Sequence, residues 1–312
     1  MRITGIGINM HPMRINGDME KFKEELIFFE ELGYDYVEIP VDAVDVIFEG
    51  KLREDRMLKI QKILGFRDLK YTVHAPNALD LRDMDNHDTQ FELFKSCLDF
   101  TARIGADIFV YHYGRKSKNM NLEEKLYENI LRISDYANKL GITICVENIE
   151  IDPVNNVIDF VKKVNRENVA MTLDIGHAYL SANYFGFDFL DSVKKASPFV
   201  KHIHVHDNFG RFEEMRLKGY DQYKWIPYRR LVALGRGDLH LPPGWGKVPF
   251  DDVCEILKDY EGVFMLEYHH YRYRMEADEI LEQAREYVKR HGGFVDLRNG
   301  THRSRSSSFY KD

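Results

Sequence analysis

The stretch VAMTLDIGHA, residues 169–178, decides the fold. It opens as an extended run in which Val169, Met171 and Leu173 fall on one face and Ala170, Thr172 and Asp174 on the other, because strand side chains alternate with a period of two. The run ends on a carboxylate, Asp174, and an imidazole, His177, follows three residues later. The same form recurs along the chain. Residues 71–76 read YTVHAP, 109–114 FVYHYG, 142–150 ITICVENIE, 200–208 VKHIHVHDN and 263–270 VFMLEYHH, each an apolar run that exits on His or Glu; 235–246, GRGDLHLPPGWG, carries the same residue types. Within 142–147, Ile142, Ile144 and Val146 oppose Thr143, Cys145 and Glu147, and within 201–206 the histidines His202, His204 and His206 share one face against Ile203 and Val205. One face of each strand is suited to packing on helices and the other to looking into a barrel.

Between these runs lie stretches with helical spacing, each about the length of a crossover helix: 20–32, 52–64, 89–104, 122–140, 157–164, 189–196, 253–260 and 277–291. Gly33, Gly105 and Gly141 follow three of them, where a left-handed C-cap needs no Cβ. With two further strands at 3–9 and 36–39, the pattern predicts eight strand–helix units and hence an α/β fold of the (β/α)8 TIM barrel class. The barrel is expected to fill 1–291 as a single domain, with a long loop insertion at 209–236 after strand seven and a polar C-terminal tail at 292–312. Active sites of such barrels lie at the C-terminal ends of the strands. That end gathers His74, His112, Glu147, Asp174, His177, His204, Asp238, His240 and Glu267.

Bulk properties narrow the function classes. A chain of 312 residues suits one large barrel without a second domain. Its net charge of −7 gives no general attraction to nucleic acid, which is not expected as a partner. No apolar stretch approaches the roughly 20 residues of a membrane span. Cys97, Cys145 and Cys254 are too widely spaced for a disulfide framework or zinc knot, and no basic-then-apolar leader pattern opens the chain, so a cytoplasmic location is expected. The end of the chain, RNGTHRSRSSSFYKD at 298–312, is serine-rich and mildly basic, with Phe309 and Tyr310 as its apolar residues. Homo-oligomerisation is left open.

The order and strand-end placement of VHAP (73–76), VENIE (146–150), LDIGHA (173–178), HVHDN (204–208) and the stretch 237–246 resembles the xylose-isomerase-like barrels. These include endonuclease IV, ketose 3-epimerases and sugar phosphate isomerase/epimerase relatives, and the resemblance runs over about residues 3–290. Resemblance to the ketose epimerases implies that Glu147, Asp174, His204 and Glu267 hold one metal and that Glu147 and Glu267 exchange protons with the sugar. Three carboxylates and one imidazole suit Mn2+ or Zn2+, with Mg2+ or Co2+ as alternatives. Resemblance to endonuclease IV implies that His74, His112, His177, Asp238 and His240 complete a three-zinc cluster; the rival role for these five is substrate binding.

The surroundings depart from the nuclease pattern. Asn77 and Ala78 stand where bulky residues would wedge into DNA, Tyr113 replaces a proline, and Tyr268, His269 and His270 follow the last glutamate. His206, Asn148 and Arg272 are expected to contact substrate, with Arg272 near the region where such barrels bind phosphate, whereas His202 reads equally as a structural residue. The insertion carries Phe212, Tyr220, Tyr223, Trp225, Tyr228, Arg229 and Arg230, and reads as a lid or a subunit surface. The expected function is a divalent-metal-dependent isomerase or epimerase of a sugar or sugar phosphate. The alternatives are an endonuclease IV-like zinc phosphodiesterase acting on abasic DNA, and a metal-dependent sugar lyase.

Overall fold

In the computed structural model, which describes residues 1–295, the sheet closes on itself. Strands β1 (Arg2–Asn9), β2 (Tyr36–Pro40), β3 (Lys70–His74), β4 (Ile108–His112), β5 (Thr143–Glu147), β6 (Val169–Asp174), β7 (Val200–Val205) and β8 (Glu261–Leu266) pair in chain order, all parallel. β8 returns to β1, from Arg2↔Glu261 to Ile8↔Leu266. Among the described residues this is the closed eight-stranded barrel that the alternation predicts. A short strand, β9 (Gly293–Phe294), adds beside Arg2 and Ile3, so the first residues of the expected tail are sheet. Phe309 and Tyr310 lie outside the described residues.

The helices α1 (Met19–Leu32), α2 (Glu54–Leu64), α3 (His87–Arg103), α4 (Met120–Lys139), α5 (Val154–Val164), α6 (Ile175–Phe185), α7 (Phe189–Ala196), α8 (Phe250–Ile256) and α9 (Ala277–Arg290) connect the strands. Gly33, the C-cap of α1, sits at φ 92°, in the left-handed region that motivated the expectation. Helix α6 has no counterpart in the periodicity. Ile175, Ala178, Leu180 and Ala182 are all buried, so the helix lacks the polar stripe that would reveal its period. The insertion after β7 folds into three short helical turns, Met215–Lys218, Tyr220–Tyr223 and Tyr228–Leu234. They rest on a small apolar cluster of Leu231, Leu239 and Leu241 with Phe209, Tyr223, Ile226 and Tyr228.

Strand register sets which side chains share a level inside the barrel. Asn9, Glu38 and Thr72 are in register across β1, β2 and β3. His112 pairs with Glu147, Glu147 with Thr172, and Asp174 with His204. Residues paired in this way point to the same face of a parallel sheet. No helix among the described residues is long and apolar enough to cross a membrane.

Candidate metal centre

The centre is assembled from strand ends, beginning where β6 runs into α6. Asp174 closes the strand and caps the helix, its Oδ1 accepting the backbone N–H of His177 at 2.6 Å. His206 Nε2 lies 3.0 Å from the same oxygen and 3.2 Å from Oδ2, the atom that also faces His204. Gly176 makes room for that imidazole: a Cβ there would lie 2.2 Å from the His206 ring.

Glu147, at the end of β5, is fully buried, and neither of its oxygens has a hydrogen-bond partner. Imidazole nitrogens nevertheless surround it. His74 Nε2 and His112 Nε2 lie 3.3 and 3.5 Å from Oε2, while His204 Nδ1 and His177 Nδ1 lie 3.4 and 3.7 Å from Oε1. His204 Nδ1 is also 3.1 Å from Glu267 Oε2 and 3.8 Å from Asp174 Oδ2. Two ligand atoms about 2.1 Å from one ion, at tetrahedral to octahedral angles, lie about 3.0–3.4 Å apart. The contacts of His204 with Glu147 and Glu267 fall in that range and that with Asp174, at 3.8 Å, just outside it, and buried oxygens without donors need a cation or a proton. Their ligand atoms all fall within 4.8 Å of one another. The donor set therefore fits a divalent ion.

Two further groups flank this one. His74, His112 and Glu147 form the first, and His177, His206, Asp238 and His240 the second. Backbone carbonyls decide which nitrogen of two of these rings faces inward: His74 Nδ1 is held by Ala75 O at 2.7 Å and His240 Nδ1 by Glu267 O at 2.6 Å. That leaves His74 Nε2 to Glu147 and His240 Nε2 to Asp238 Oδ2, 2.9 Å away, which His177 Nε2 also approaches at 3.1 Å. All nine residues gathered by the sequence pattern thus meet at one end of the barrel. The loop bearing Asp238 and His240 is fixed by fully buried Asp207, whose carboxylate accepts the backbone N–H groups of Asn208, Gly244, Gly246, Lys247 and Val248.

Charge is concentrated here. Burial opposes ionisation of Glu147, yet the imidazoles of His204 and His112 hold its carboxyl well below the usual range. Against the same opposition His204 depresses Glu267, and His240 with His177 depresses Asp238. In return, the carboxylates outweigh burial at the rings: Glu147 raises His74 to about 9, Asp238 raises His240 to about 9, and His177 and His204 stand well above their ordinary value. Burial prevails instead at His112 and His11, lowered to about 4, and at His269, lowered to about 2.

A cavity of about 280 Å3 opens over this end, lined among others by His74, His112, His177, Asp238, His240 and Glu267. Asn77 is also on its wall. Three expected substrate contacts are not part of the lining, two of them buried behind it and Arg272 exposed beside it. His206 is fully buried against Asp174 and stacks on His240 at 3.9 Å; Asn148 Nδ2 donates to Asp174 O and its Oδ1 accepts from Asp174 N; Arg272 stacks on Tyr228 at 4.1 Å. The sequence reading missed His11 and His269 on the wall, and Arg216, whose Nε pairs with Glu150 Oε1 at 2.6 Å across to the loop after β5. It also missed Glu38, buried below the centre. His202, read as structural or supporting, bonds Glu38 at 3.0 Å.

Comparison with known proteins agrees with this architecture. The family model described as the xylose isomerase-like TIM barrel matches residues 28–291. An uncharacterized protein of Methanocaldococcus jannaschii is 25% identical over 268 residues, 80% of this chain and 87% of its own. A D-psicose 3-epimerase of Agrobacterium fabrum is 30% identical over 104 residues, 31% of this chain and 33% of its own. Among solved structures, a D-tagatose 3-epimerase-like protein superposes with a TM-score of 0.66 at 21% identity, covering 92% of this chain and 98% of that one.

Proposed function

Because the chain belongs to the xylose isomerase-like TIM barrel family, we propose that it is a divalent-metal-dependent isomerase or epimerase of a sugar or sugar phosphate. The observation that carries this reading is the pair of carboxylates, Glu147 and Glu267, set 3.4 and 3.1 Å from one imidazole nitrogen of His204, with both Glu147 oxygens and Glu267 Oε2 buried and without hydrogen-bond partners. Glu147, Asp174, His204 and Glu267 would hold the ion, which when bound polarises a carbonyl or hydroxyl and so acidifies the adjoining C–H. In this reading Glu267, on the cavity wall, would take the proton from that carbon, and Glu147, as the second acid/base group, would supply the proton returned to its opposite face, giving the epimer; return to the neighbouring carbon would give the isomer. His74, His112, His177 and His240 line the cavity, whose volume of about 280 Å3 suits a single sugar. The family resemblance and the epimerases among its relatives support the same reaction class.

Solvent-deuterium exchange tests the reading. Mn2+-loaded protein should incorporate deuterium into its sugar substrate, and Glu267→Gln or Glu147→Gln should abolish exchange. Loss of water accompanying exchange would instead indicate the lyase. A second reading, zinc-dependent phosphodiester hydrolysis, is favoured by the two flanking groups, which offer places for more than one ion. Metal-dependent cutting of abasic DNA without deuterium exchange would establish it in place of the first.

A further inference from the structure

We infer that Glu38, on β2, is a positioning residue for the metal centre, orienting His204 directly and Glu267 through Asn9. The inference rests on the metal-dependent reading above.

Glu38 is completely buried, in register with Asn9 and Thr72 on the neighbouring strands. Four side chains converge on its two oxygens. Asn9 Nδ2 donates to Oε1 at 2.8 Å, and His204 Nε2 makes a close ionic contact with the same atom at 2.8 Å, without the alignment of a hydrogen bond. Thr72 Oγ1 donates to Oε2 at 2.9 Å, and His202 Nε2 lies 3.0 Å from it. Removing one partner from such a cluster is costly, but a carboxylate at this level is weak evidence for stability, since a well-packed apolar group often serves as well.

Its neighbours suggest what else it does. A half-turn of the His204 ring about its Cβ–Cγ bond would exchange Nδ1 for Cδ2 and Nε2 for Cε1. Contact between Nε2 and Glu38 selects the orientation in which Nδ1, rather than a carbon, faces Glu147, Asp174 and Glu267. Asn9 carries the second arm. Its Nδ2 donates to Glu38 Oε1 and also, at 3.0 Å, to Glu267 Oε1. Glu267 Oε1 is thereby occupied and Oε2 is turned toward His204 Nδ1. One carboxylate on β2 therefore sets the inward atoms of ligands from β7 and from the end of β8. Partners of this kind orient ligands and strengthen metal binding.

The test compares Glu38→Gln, Asn9→Leu and Thr72→Val with the wild type in full-length protein. Mn2+ affinity is measured by calorimetry, and Co2+-loaded protein by its visible spectrum. Glu38→Gln keeps the size of the side chain but removes the charge that faces His204 and leaves it unable to accept from all of Asn9, Thr72 and His202. We expect Mn2+ affinity to fall about 10- to 100-fold, with a changed Co2+ spectrum. Thr72→Val removes a donor that touches neither His204 nor Glu267, and should leave affinity and spectrum near wild type whatever it does to melting. If Glu38→Gln does not fold, Asn9→Leu isolates the Glu267 arm, with an expected loss of about 10-fold. A folded Glu38→Gln protein, or Asn9→Leu in its place, with wild-type affinity and spectrum would overturn the inference, as would an equal loss in Thr72→Val. Wild-type protein that takes up neither Mn2+ nor Co2+ would defeat the metal reading itself, and the inference with it.

Discussion

Gly176→Ala sets two effects of opposite sign against each other. The residue is second in α6, where alanine should favour the helix by about 1 kcal/mol over glycine. The added Cβ, however, would stand 2.2, 2.5 and 2.6 Å from three atoms of the His206 ring, and ordinary contact requires a retreat of about 1.3 Å or more. That retreat is blocked on several sides. The ring is fully buried, stacks on His240 at 3.9 Å and bonds Asp174 at 3.0 Å. Overpacking of this kind costs about 1–3 kcal/mol, and loss of a hydrogen bond to a charged group about 1.5–3. The clash wins by about 1.5–5 kcal/mol, which at about 2–4 °C per kcal/mol lowers the melting point by about 3–20 °C. Because Asp174 loses a brace, Mn2+ affinity should fall as well. Thermal melts with and without Mn2+ decide the matter. A variant that melts at or above the wild type and binds Mn2+ equally well would refute both the rigidity assigned to His206 and its coupling to the centre.

Elemental analysis of purified protein should give fewer than three tightly held metals per chain; three would favour the hydrolytic reading. Abasic-site DNA should not be cut at an appreciable rate, since small, polar Asn77 stands on the wall where a wedge would be needed, and efficient metal-dependent nicking would overturn the sugar reading. Metal uptake near pH 7 should release protons, measurable in weakly buffered solution, and affinity should rise with pH toward about 9, because the carboxylates hold His74 and His240 protonated up to that value. Uptake without proton release would contradict those imidazolium assignments. Arg216→Ala, which removes the contact across the mouth to Glu150, should raise KM several-fold with kcat little changed, at a stability cost of at most about 1 kcal/mol; an equal loss in kcat would place Arg216 in the reaction itself.

The strands were legible because each couples an alternating apolar run to a polar exit residue, and Glu147 and Asp174 could be found from that rule alone. Glu38 obeys no such rule. It sits inside YVEIP, in a strand short enough that one carboxylate reads as solvent-facing, and its inward direction emerges only from pairing with Asn9 and Thr72 on chain segments 29 and 34 residues away. Helix α6 escaped notice for the opposite reason, since it is apolar around most of its circumference. His11 reaches the site from a loop whose local sequence, MHPMRING, gives no spatial clue, and its ring meets His269 across the seam between β1 and β8 at 5.0 Å. Closure of a barrel brings together residues that no local pattern connects.

The same seam governs how the molecule comes into being. β1 is the first strand synthesised and β8 the last of the eight, and their pairing joins Arg2 to Glu261. Glu267 belongs to the segment that leaves β8, so the centre lacks one of its carboxylates until all eight barrel strands have been made. Long-range pairing of this kind is a late and slow event in folding. A half-made barrel therefore offers His74, His112 and Glu147 without the enclosure that gives them their geometry, and any ion met during synthesis finds only a partial, solvent-open set. On the metal-dependent reading, selection of the ion would be deferred to the finished protein.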